Sequence, residues 1–455
     1  MDNHIGLPII QAIKMLCLIT LVAIIVSSSA FSVPSIEQAV SSNADRDMEA
    51  LKSWASENKV LRENGFELNE SNGGDWSVSI SENGKEAHRV LQVPSHLVLA
   101  STKIRKELED QFSFSAAMEH LEKKKVEHQI PQFFLWLKIL REYEHGENSL
   151  WHPWLQSLPR SFSNAISMDE VELECLAPFA WSLATIERLH LDVFHEALDL
   201  VDGVLNEDTK NDIDATTWAF NVVFTRAWSK DGEDDRTDIV PLGDMFNHRH
   251  PGNVYIHYDE EGNCNVVLKD DTDAGTPIYL SYGRETNPYR FMVVFGFVDE
   301  SQESIFSQIV VSNPSQRHVD IGYDLSKMVF NTTDGAISEE AWDILLFSLL
   351  EQVPSIQEAF YQAHKNEDFA TKDTIRRRFY LETCIMLKKH VDSALIEMQA
   401  LLQKIDGHDM SRHRLLPMIR RSNELVARTF SKAKGRIDQM IKEEMAQRKA
   451  LETKI

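Results

Sequence analysis

The chain alternates between short strand-like segments and long helical ones, and this alternation limits the folds open to it. Strand-like pieces occupy residues 76–94, helical periodicity dominates 101–228, short strands return at 239–298, and helical periodicity resumes from about 338. Apolar residues at period two indicate half-buried strands, and apolar residues at every third or fourth position indicate amphipathic helices. The order predicts an α+β protein in which a helical insertion splits a β region and an all-α domain follows.

A turn signal lies inside the first β region. Asn83-Gly84 separates WSVSI at 76–80 from HRVLQVP at 88–94. Asn-Gly between two alternating segments is typical of a tight hairpin turn. The pattern predicts that these two strands pair with each other.

Composition excludes two classes of protein. The 455 residues include 47 Lys+Arg against 71 Asp+Glu, which gives a net charge of −24. A protein whose main task is to grip nucleic-acid phosphates needs a surplus of cations, so we expect no nucleic-acid partner. The four cysteines are too few for a disulfide scaffold and too far apart in sequence for a zinc knuckle, so we expect no metal site.

The negative charge is unevenly distributed. Residues 403–455 hold thirteen Lys/Arg and seven Asp/Glu, a net of +6 on an otherwise acidic chain. A solvated amphipathic helix and a docking surface for an acidic partner both fit this basic end. Arg376-Arg377-Arg378 and Arg420-Arg421 are candidate docking points, although each also fits the solvated face of a helix.

The N-terminus has the pattern of a targeting segment. Residues 15–26, MLCLITLVAIIV, form a twelve-residue apolar run preceded by Lys14 and followed by small residues. A bilayer-spanning helix needs about 20 apolar residues, whereas a signal-peptide core needs fewer. We expect a cleaved signal peptide at 1–30, with a retained signal anchor as the alternative.

The junction SSAFSVP at 28–34 resembles the Ala-Phe junction of bipartite plastid presequences. The resemblance implies a transit segment or linker at 31–46 and a plastid location. The secretory pathway and a signal-anchored membrane location are the alternatives. We expect contact with a membrane only transiently, through the signal.

Three motifs follow one another closely in the second β region. Pro-Leu-Gly-Asp-Met-Phe-Asn-His occupies 241–248, and Gly-Thr-Pro-Ile-Tyr-Leu-Ser-Tyr-Gly occupies 275–283. Thr-Asn-Pro-Tyr-Arg-Phe at 286–291 runs into Phe-Gly-Phe-Val at 295–298. An Asn-His pair alone indicates little, but the ordered set is specific.

This set resembles the C-terminal half of a SET domain of the Rubisco large-subunit methyltransferase type. Upstream, Ser149–Trp154 and Thr225–Trp228 resemble further stretches of that family. The resemblance implies small β-sheets with a pseudoknot in a SET domain at 47–305, interrupted by a helical insertion at about 101–228. It also implies a helical substrate-binding domain at 306–455.

The family uses S-adenosylmethionine as its cofactor, and motif matches carry its site residues onto this chain. Asn247 and His248 match cofactor-binding positions, and Arg226 matches the arginine that reaches towards the cofactor carboxylate. Asp244 orders the same turn or meets a cationic group. Tyr282 matches the catalytic tyrosine, whose hydroxyl orients the methyl group and stabilises the shifting charge.

The substrate side of the site is implied by three aromatic residues. Tyr255 or Tyr258 lines the channel for the target side chain, and Phe295 replaces a family tyrosine, which is associated with higher methylation states. The residues Gly73–Trp76 depart from the family's Gly-x-Gly turn, because Trp76 stands where small residues are expected.

Together these features predict a protein-lysine N-methyltransferase that acts on a non-histone protein, with plastid proteins among the candidates. Its partner is then a protein substrate carrying a target lysine, and we expect a monomer. One alternative is methylation of another side chain such as histidine. The departure at Gly73–Trp76 motivates the other, a catalytically inactive SET-fold binding module.

Overall fold

The computed structural model describes residues 46–70, 75–229, 235–283 and 288–452. The predicted signal peptide and Gly73-Gly74 lie outside these residues. Contacts divide the chain into two compact units. The β unit comprises Ser35–Ser167 and Glu187–Arg284, and the helical unit includes Met168–Ile186 and Glu285–Ile455. This grouping places 168–186 with the C-terminal helices. The domain boundaries expected from the family resemblance, 47–305 and 306–455, stay a prediction.

The predicted helical stretch 101–228 consists of separate helices, and a further helix precedes the first strand. The helices from the N-terminus to this point are Met48–Glu57, Ser101–Glu109, Ser115–Lys123, Ile130–His145, His152–Ser157, Glu170–Glu174, Pro178–Leu198, Glu207–Asn211 and Ile213–Arg226. In the β unit, aromatic rings of Phe133, Trp136, Phe194 and Phe220 pack together in the core. The Trp136 indole donates to Thr216 O at 2.9 Å, which satisfies its polar atom inside that core.

The strands of the β unit form three small sheets. Their bounds are β1 Leu61–Arg62, β2 Phe66–Glu70, β3 Trp76–Ile80, β4 Arg89–Val93, β5 Leu99–Ala100, β6 Trp228–Ser229, β7 Thr237–Ile239, β8 Asn247–His248, β9 Val254–Tyr258, β10 Cys264–Leu268 and β11 Pro277–Leu280. The sheet orders are β1-β4-β10-β9, β2-β3-β11-β8 and β5-β7-β6. Strands before and after the helical insertion therefore share sheets, as the sequence predicts.

The predicted hairpin around Asn83-Gly84 is wrong. Strand β3 pairs with β2 and β11, whereas β4 pairs with β1 and β10 in another sheet. The turn instead forms hydrogen bonds with residues 272–274. Gly84 N donates to Thr272 O at 2.8 Å, and Asn83 Oδ1 accepts from Ala274 N at 2.9 Å. These contacts with a distant turn replace the hairpin bonds.

Residues 247–253 of the β unit run alongside β11, a strand that comes later in the chain. Strand β8 pairs in parallel with β11, and Arg249 N donates to Leu280 O at 3.1 Å. Asn253 N then donates to Tyr279 O, and Asn253 Oδ1 accepts from Tyr279 N at 2.7 Å. The residues after the Asn-His pair are thus held against the residues before Tyr282.

In the helical unit, a helical turn at Pro288–Arg290 runs into a π-helical turn at Phe291–Phe295. Strands β12 Ser304–Phe306 and β13 Val329–Asn331 pair antiparallel. The remaining helices are Gln316–Ile321, Glu339–Leu349, Pro354–Lys365, Phe369–Arg378, Tyr380–Asp406 and Leu416–Glu452. None of the helices in the described ranges has the length and apolar character needed to cross a membrane.

The segment 168–186 is bonded to the C-terminal helices within the helical unit. Asp169 and Glu172 form a capping box at the start of Glu170–Glu174, and Glu172 Oε1 also accepts from Leu415 N at 2.6 Å. Asn423 Nδ2 donates to Cys175 O at 3.0 Å. Buried polar bonds of this kind are costly to break, so they fix the segment to these helices.

Candidate active site

A buried ion pair joins two of the predicted site residues. Arg226 ends the helix Ile213–Arg226, and Asp244 lies in the short turn Gly243–Met245. Arg226 Nη1 donates to Asp244 Oδ2 at 2.7 Å and to Asp244 O at 3.0 Å, and Trp154 Nε1 donates to Oδ2 at 3.3 Å. The side chains are 12% and 0% exposed. Asp244 therefore meets a cationic group, one of the two roles that the sequence left open.

The turn that carries Asp244 starts from an unusual backbone conformation. Leu242 is a buried non-glycine residue with φ of 67°. Positive φ strains an L-residue, and such positions persist only where the surrounding structure holds them. The Trp228 ring packs against the next residue, Gly243, since a Cβ there would lie 3.2 Å from its Cη2 atom. A side chain at this position would therefore require the Trp228 ring or Val240 to shift by a few tenths of an ångström beside Asp244.

Sequence reasoning missed a second arginine at this site. Arg46 Nε donates to Ser157 O at 2.6 Å, and its Nη2 lies 3.8 Å from Met245 Sδ. Burial, with repulsion from Arg226, lowers the pKa of Arg46 to about 10, while attraction to Asp244 opposes the decrease. Asp75 also opposes the decrease, so Arg46 is influenced by two carboxylates and by Arg226. Guanidinium groups bind carboxylates through charge-assisted hydrogen bonds, which makes Arg226 and Arg46 the candidates for holding an anionic group here.

The Asn-His pair lies on β8, next to β11. Asn247 is exposed, and its Nδ2 donates to Trp76 O at 3.3 Å. His248 Nδ1 accepts from Tyr282 N at 3.0 Å, so Nδ1 is unprotonated and the proton of the neutral ring lies on Nε2. The rings of His248 and Tyr282 have centroids 5.2 Å apart. The first two motifs therefore meet directly.

Tyr282 holds its hydroxyl in a defined direction. The hydroxyl donates to Phe246 O at 2.7 Å, which leaves oxygen lone pairs able to accept. Burial raises the pKa of Tyr282 to about 12, with Arg226 lowering it and Asp244 raising it. The phenol is neutral at physiological pH, so it can offer an oxygen to a positively charged centre without carrying a full charge.

The two tyrosines of β9 face opposite sides of the sheet. Tyr255 is 41% exposed, and its ring lies 6.0 Å from that of His257. Tyr258 packs against the core with the Arg236 guanidinium 5.2 Å from its ring centroid, and burial raises its pKa. Strand alternation explains the difference, because the two are three residues apart.

Phe295 belongs to the helical unit. It ends the π-helical turn, and its ring lies 6.1 Å from Phe291 and 6.3 Å from Phe297. Its place opposite a substrate stays a prediction. The five other residues matched to the cofactor and to catalysis, Arg226, Asp244, Asn247, His248 and Tyr282, all lie in the β unit. Arg226 contacts Asp244, and His248 contacts Tyr282, while the Asn247 amide bonds to Trp76 O. Within the described ranges, His, Cys, Asp and Glu form no cluster suited to a metal ion.

Comparison with known proteins finds relatives in sequence and neighbours in structure. No protein-family model matches the chain. Actin-histidine N-methyltransferases of Rattus norvegicus and Homo sapiens are 26% identical over 277 residues, which cover 54% of this chain. The matched region spans about two fifths of the length of these curated relatives, 41% of each.

Solved structures match over more of the chain. The SET domain of LSMT bound to lysine and AdoHcy superposes with a TM-score of 0.60 at 15% identity, covering 88% of this chain and 92% of that one. Rubisco LSMT bound to AdoMet gives 0.58 at 16% identity, covering 87% and 92%. The chain therefore has the SET fold of the Rubisco LSMT type, as the motifs predict.

Proposed function

We propose that this protein is an S-adenosylmethionine-dependent protein N-methyltransferase whose target is a histidine side chain. The observation that carries the proposal is the arrangement of Arg226, Asp244, His248 and Tyr282 in a SET fold, with a second arginine beside the ion pair. A methyl transfer to nitrogen needs alignment and exclusion of water more than it needs a covalent intermediate.

The residues present fit the cofactor. Arg226 and Arg46 are the two cationic side chains described at the site, and a guanidinium group would hold the carboxylate of S-adenosylmethionine through charge-assisted hydrogen bonds. The exposed amide of Asn247 would bind the ammonium or carboxylate group, and the backbone at His248 would pair with the adenine edge. The bound cofactor supplies an electrophilic methyl group on a sulfonium.

Tyr282 would act on the reacting atoms. Its neutral phenol keeps the hydroxyl bonded to Phe246 O, so the oxygen stays in place while charge moves from sulfur to nitrogen. A preoriented dipole at that position stabilises the transition state without reorganising. Tyr255 and Tyr258 remain proposed substrate contacts, with Tyr255 the more exposed of the two.

Two observations favour histidine as the acceptor. The curated relatives are named as actin-histidine N-methyltransferases. In addition, an imidazole with a pKa near 6.5 is already neutral at pH 7, whereas a lysine amine near 10.4 must first lose a proton. Asp244, the carboxylate at the site, is bound by Arg226, so it is poorly placed to take up such a proton.

Lysine is the second candidate. Solved structures of the same fold contain lysine and monomethyllysine. A SET fold therefore accommodates that side chain in those proteins. The alternative of an inactive binding module predicts no cofactor binding at all.

Binding and transfer assays separate the three readings. Purified protein is titrated with S-adenosylmethionine by calorimetry, then incubated with labelled cofactor and matched peptides that differ only in a central His, Lys or Ala. We expect cofactor binding and label on the His peptide. Label on the Lys peptide alone would identify lysine as the acceptor. Absence of cofactor binding would refute both methyltransferase hypotheses.

The pH profile gives a second discriminator. For a histidine acceptor, kcat/KM rises with pH through about 6.5 and then levels off, because the neutral imidazole is the nucleophile. For a lysine acceptor it continues to rise to pH 9 and above. Since Tyr282 has a pKa of about 12, its ionisation does not interfere in this range.

A further inference from the structure

An exposed arginine directly follows the Asn-His pair. Arg249 comes after β8, and its backbone N–H donates to Leu280 O at 3.1 Å, two residues before Tyr282 in the chain. Its guanidinium lies over the ring of Tyr279, 5.7 Å from the ring centroid. All of these residues belong to the β unit. Arg249 is therefore next to His248 in sequence and beside the strand that leads to Tyr282.

The ring beneath Arg249 is firmly held. Tyr279 lies on β11, where its N–H donates to Asn253 Oδ1 at 2.7 Å and its carbonyl accepts from Asn253 N at 3.1 Å. A cation–π contact restricts the arginine side chain but uses none of the guanidinium N–H donors for hydrogen bonds. The planar fork therefore stays available to a carboxylate, which can accept two parallel hydrogen bonds from it.

The charge of Arg249 is not neutralised by its own sheet. Within the described ranges, no Asp or Glu side chain forms an ion pair with its guanidinium. Residues 247–258 contain no Asp or Glu, and strands β3, β11 and β8 contain no Asp, Glu, Lys or Arg. The acidic residues Glu67 and Glu70 lie on β2, three strands from β8 in the sheet order. Three strand spacings are about 14 Å, which exceeds the screening length of about 8 Å at physiological ionic strength.

We propose that Arg249 binds an acidic side chain of the protein substrate, close to the residue that is methylated. The inference rests on the proposed function for the place of methyl transfer, at Tyr282. Charge complementarity selects this partner, because an unpaired cation on a chain with a net charge of −24 attracts a carboxylate and repels another cation.

Chain geometry sets the spacing of the acidic residue. Tyr279 and Tyr282 are three residues apart, so at most about 10 Å of backbone separates the arginine's aromatic support from the catalytic phenol. A bound extended peptide advances about 3.3 Å per residue. We therefore expect an Asp or Glu about three residues from the methylated side chain.

Peptide binding tests the proposal without requiring catalysis. Short fluorescent peptides carry a central His in a background of Ala, Gly and Ser, with Glu, Lys or Ala two, three or four residues to either side. Their affinity for the full chain in the presence of S-adenosylhomocysteine is measured by fluorescence anisotropy. We expect the best Glu peptide to bind about tenfold more tightly than its Ala counterpart, and the Lys peptide more weakly. High salt should reduce this preference.

Charge reversal at the arginine separates docking from general electrostatics. Arg249→Glu should reverse the preference, so that the Lys peptide binds more tightly, with affinity for S-adenosylmethionine within about twofold of the parent. Arg249→Lys keeps the charge but loses the planar fork, so it should retain only part of the preference for Glu. The matched control is Arg62→Glu, which makes the same charge change at an exposed arginine of β1 in the β unit. It should leave the preference unchanged.

The outcomes separate this inference from the proposed function. Equal affinities of the Glu, Ala and Lys peptides, including no binding of any, would overturn the inference, as would the same reversal in Arg62→Glu. A loss of cofactor affinity in Arg249→Glu without a change in peptide preference would assign the arginine to the cofactor instead. If the parent binds the Glu peptide through Arg249 but methylates no peptide, the proposed function fails and the inference stands. If it methylates the His peptides equally whatever flanks them, the function stands and the inference fails.

Discussion

Single residues at the site combine structural and chemical roles. Asp244 is fully buried, and its charge is tolerated because Arg226 and Trp154 donate to it. Removing a partner from a buried pair leaves an uncompensated charge, which costs more than the pair itself contributes. Tyr282 is different, because its hydroxyl donates to a backbone carbonyl and its removal leaves no charge behind.

Arg226→Met should lower the free energy of unfolding by about 3–5 kcal/mol, since it strands the carboxylate of Asp244. Adding Asp244→Leu should recover part of the loss. Urea denaturation measures both. The control is Arg377→Met, which breaks an exposed pair with Asp373 and should change stability little. A loss no larger than that of the control would contradict the buried-pair argument.

Tyr282→Phe should reduce kcat by about 10²–10³-fold while costing only about 1 kcal/mol of stability. The physical reason is the loss of the oriented phenol oxygen, with the ring and its contact to His248 kept. Methyl transfer and thermal unfolding are measured side by side. Tyr143→Phe, on a tyrosine of the helix Ile130–His145 that is 39% exposed, serves as the control for kcat. Full activity in Tyr282→Phe would remove its assigned role.

At the scale of elements, the close approach between 249–253 and β11 depends on a glycine. A Cβ on Gly252 would lie 2.7 Å from Ser281 N and 2.8 Å from Tyr279 O. Both are backbone atoms of the segment leading to Tyr282, so they cannot move aside cheaply. This close approach between 249–253 and β11 is therefore as necessary to the site as the motif residues on the two segments.

Gly252→Ala should destabilise the protein by about 1–3 kcal/mol and weaken cofactor binding, because β11 must shift away from β8. Gly435→Ala offers a control of opposite sign. Gly435 lies inside the helix Leu416–Glu452, and nothing is within 4 Å of an added Cβ. Alanine there should stabilise by about 0.5–1 kcal/mol. Equal effects of the two changes in urea denaturation would contradict the steric account.

The candidate docking arginines of the helical unit form ion pairs within that unit. Arg376 pairs with Asp343 and Glu339, Arg420 with Asp406, and Arg421 with Glu300. These arginines were the sequence's candidate docking points. Their intramolecular partners reduce the charge they offer to an acidic surface, which favours the solvated-face interpretation for these positions.

At the scale of the whole molecule, several histidines make stability depend on pH. Burial lowers the pKa of His195 in the β unit and of His318, His364 and His390 in the helical unit. Their unfolded-state pKa is about 6.5, so below that pH the unfolded chain binds more protons than the folded one. Stability contributed by the neutral rings is present above pH 6.5 and is lost as the pH falls.

We expect the melting temperature to fall between pH 7.5 and pH 5.5. His390→Gln should reduce the fall, since an amide can still donate to Ser307 O without titrating. Scanning calorimetry at both pH values checks this. A melting temperature that rises on acidification would refute the assignment of neutral buried histidines.

The N-terminal leader bears on the location of the whole molecule. We propose that the segment before Arg46 directs the protein to a plastid through a signal peptide followed by a transit segment, and that Arg46 stays in the mature protein because it belongs to the site. A fluorescent protein fused behind residues 1–60 should then accumulate in the plastid of a cell with a bipartite import route. Retention in the endoplasmic reticulum would favour the secretory alternative, and a membrane-bound fusion would favour the anchor.

Much of the fold could be predicted from sequence. Strand and helix periodicity predicted the split β region, and the ordered motifs predicted the SET fold that the solved structures share. The contacts among Arg226, Asp244, His248 and Tyr282 bring together residues that the motifs single out. The fold prediction succeeds because residue type and local spacing encode backbone preference and motif identity. The roles of the site residues stay predictions.

Other features were decided only by tertiary structure. Arg46 joins the site through Ser157, 111 residues away, although its local sequence resembles a linker. Asn83-Gly84 has the chemistry of a hairpin turn, but its bonds go to 272–274. Gln308 reaches Tyr289 from a strained position that no sequence pattern marks. Local sequence sets what each segment prefers, whereas the packing of distant segments decides which buried polar groups and sheet edges find partners.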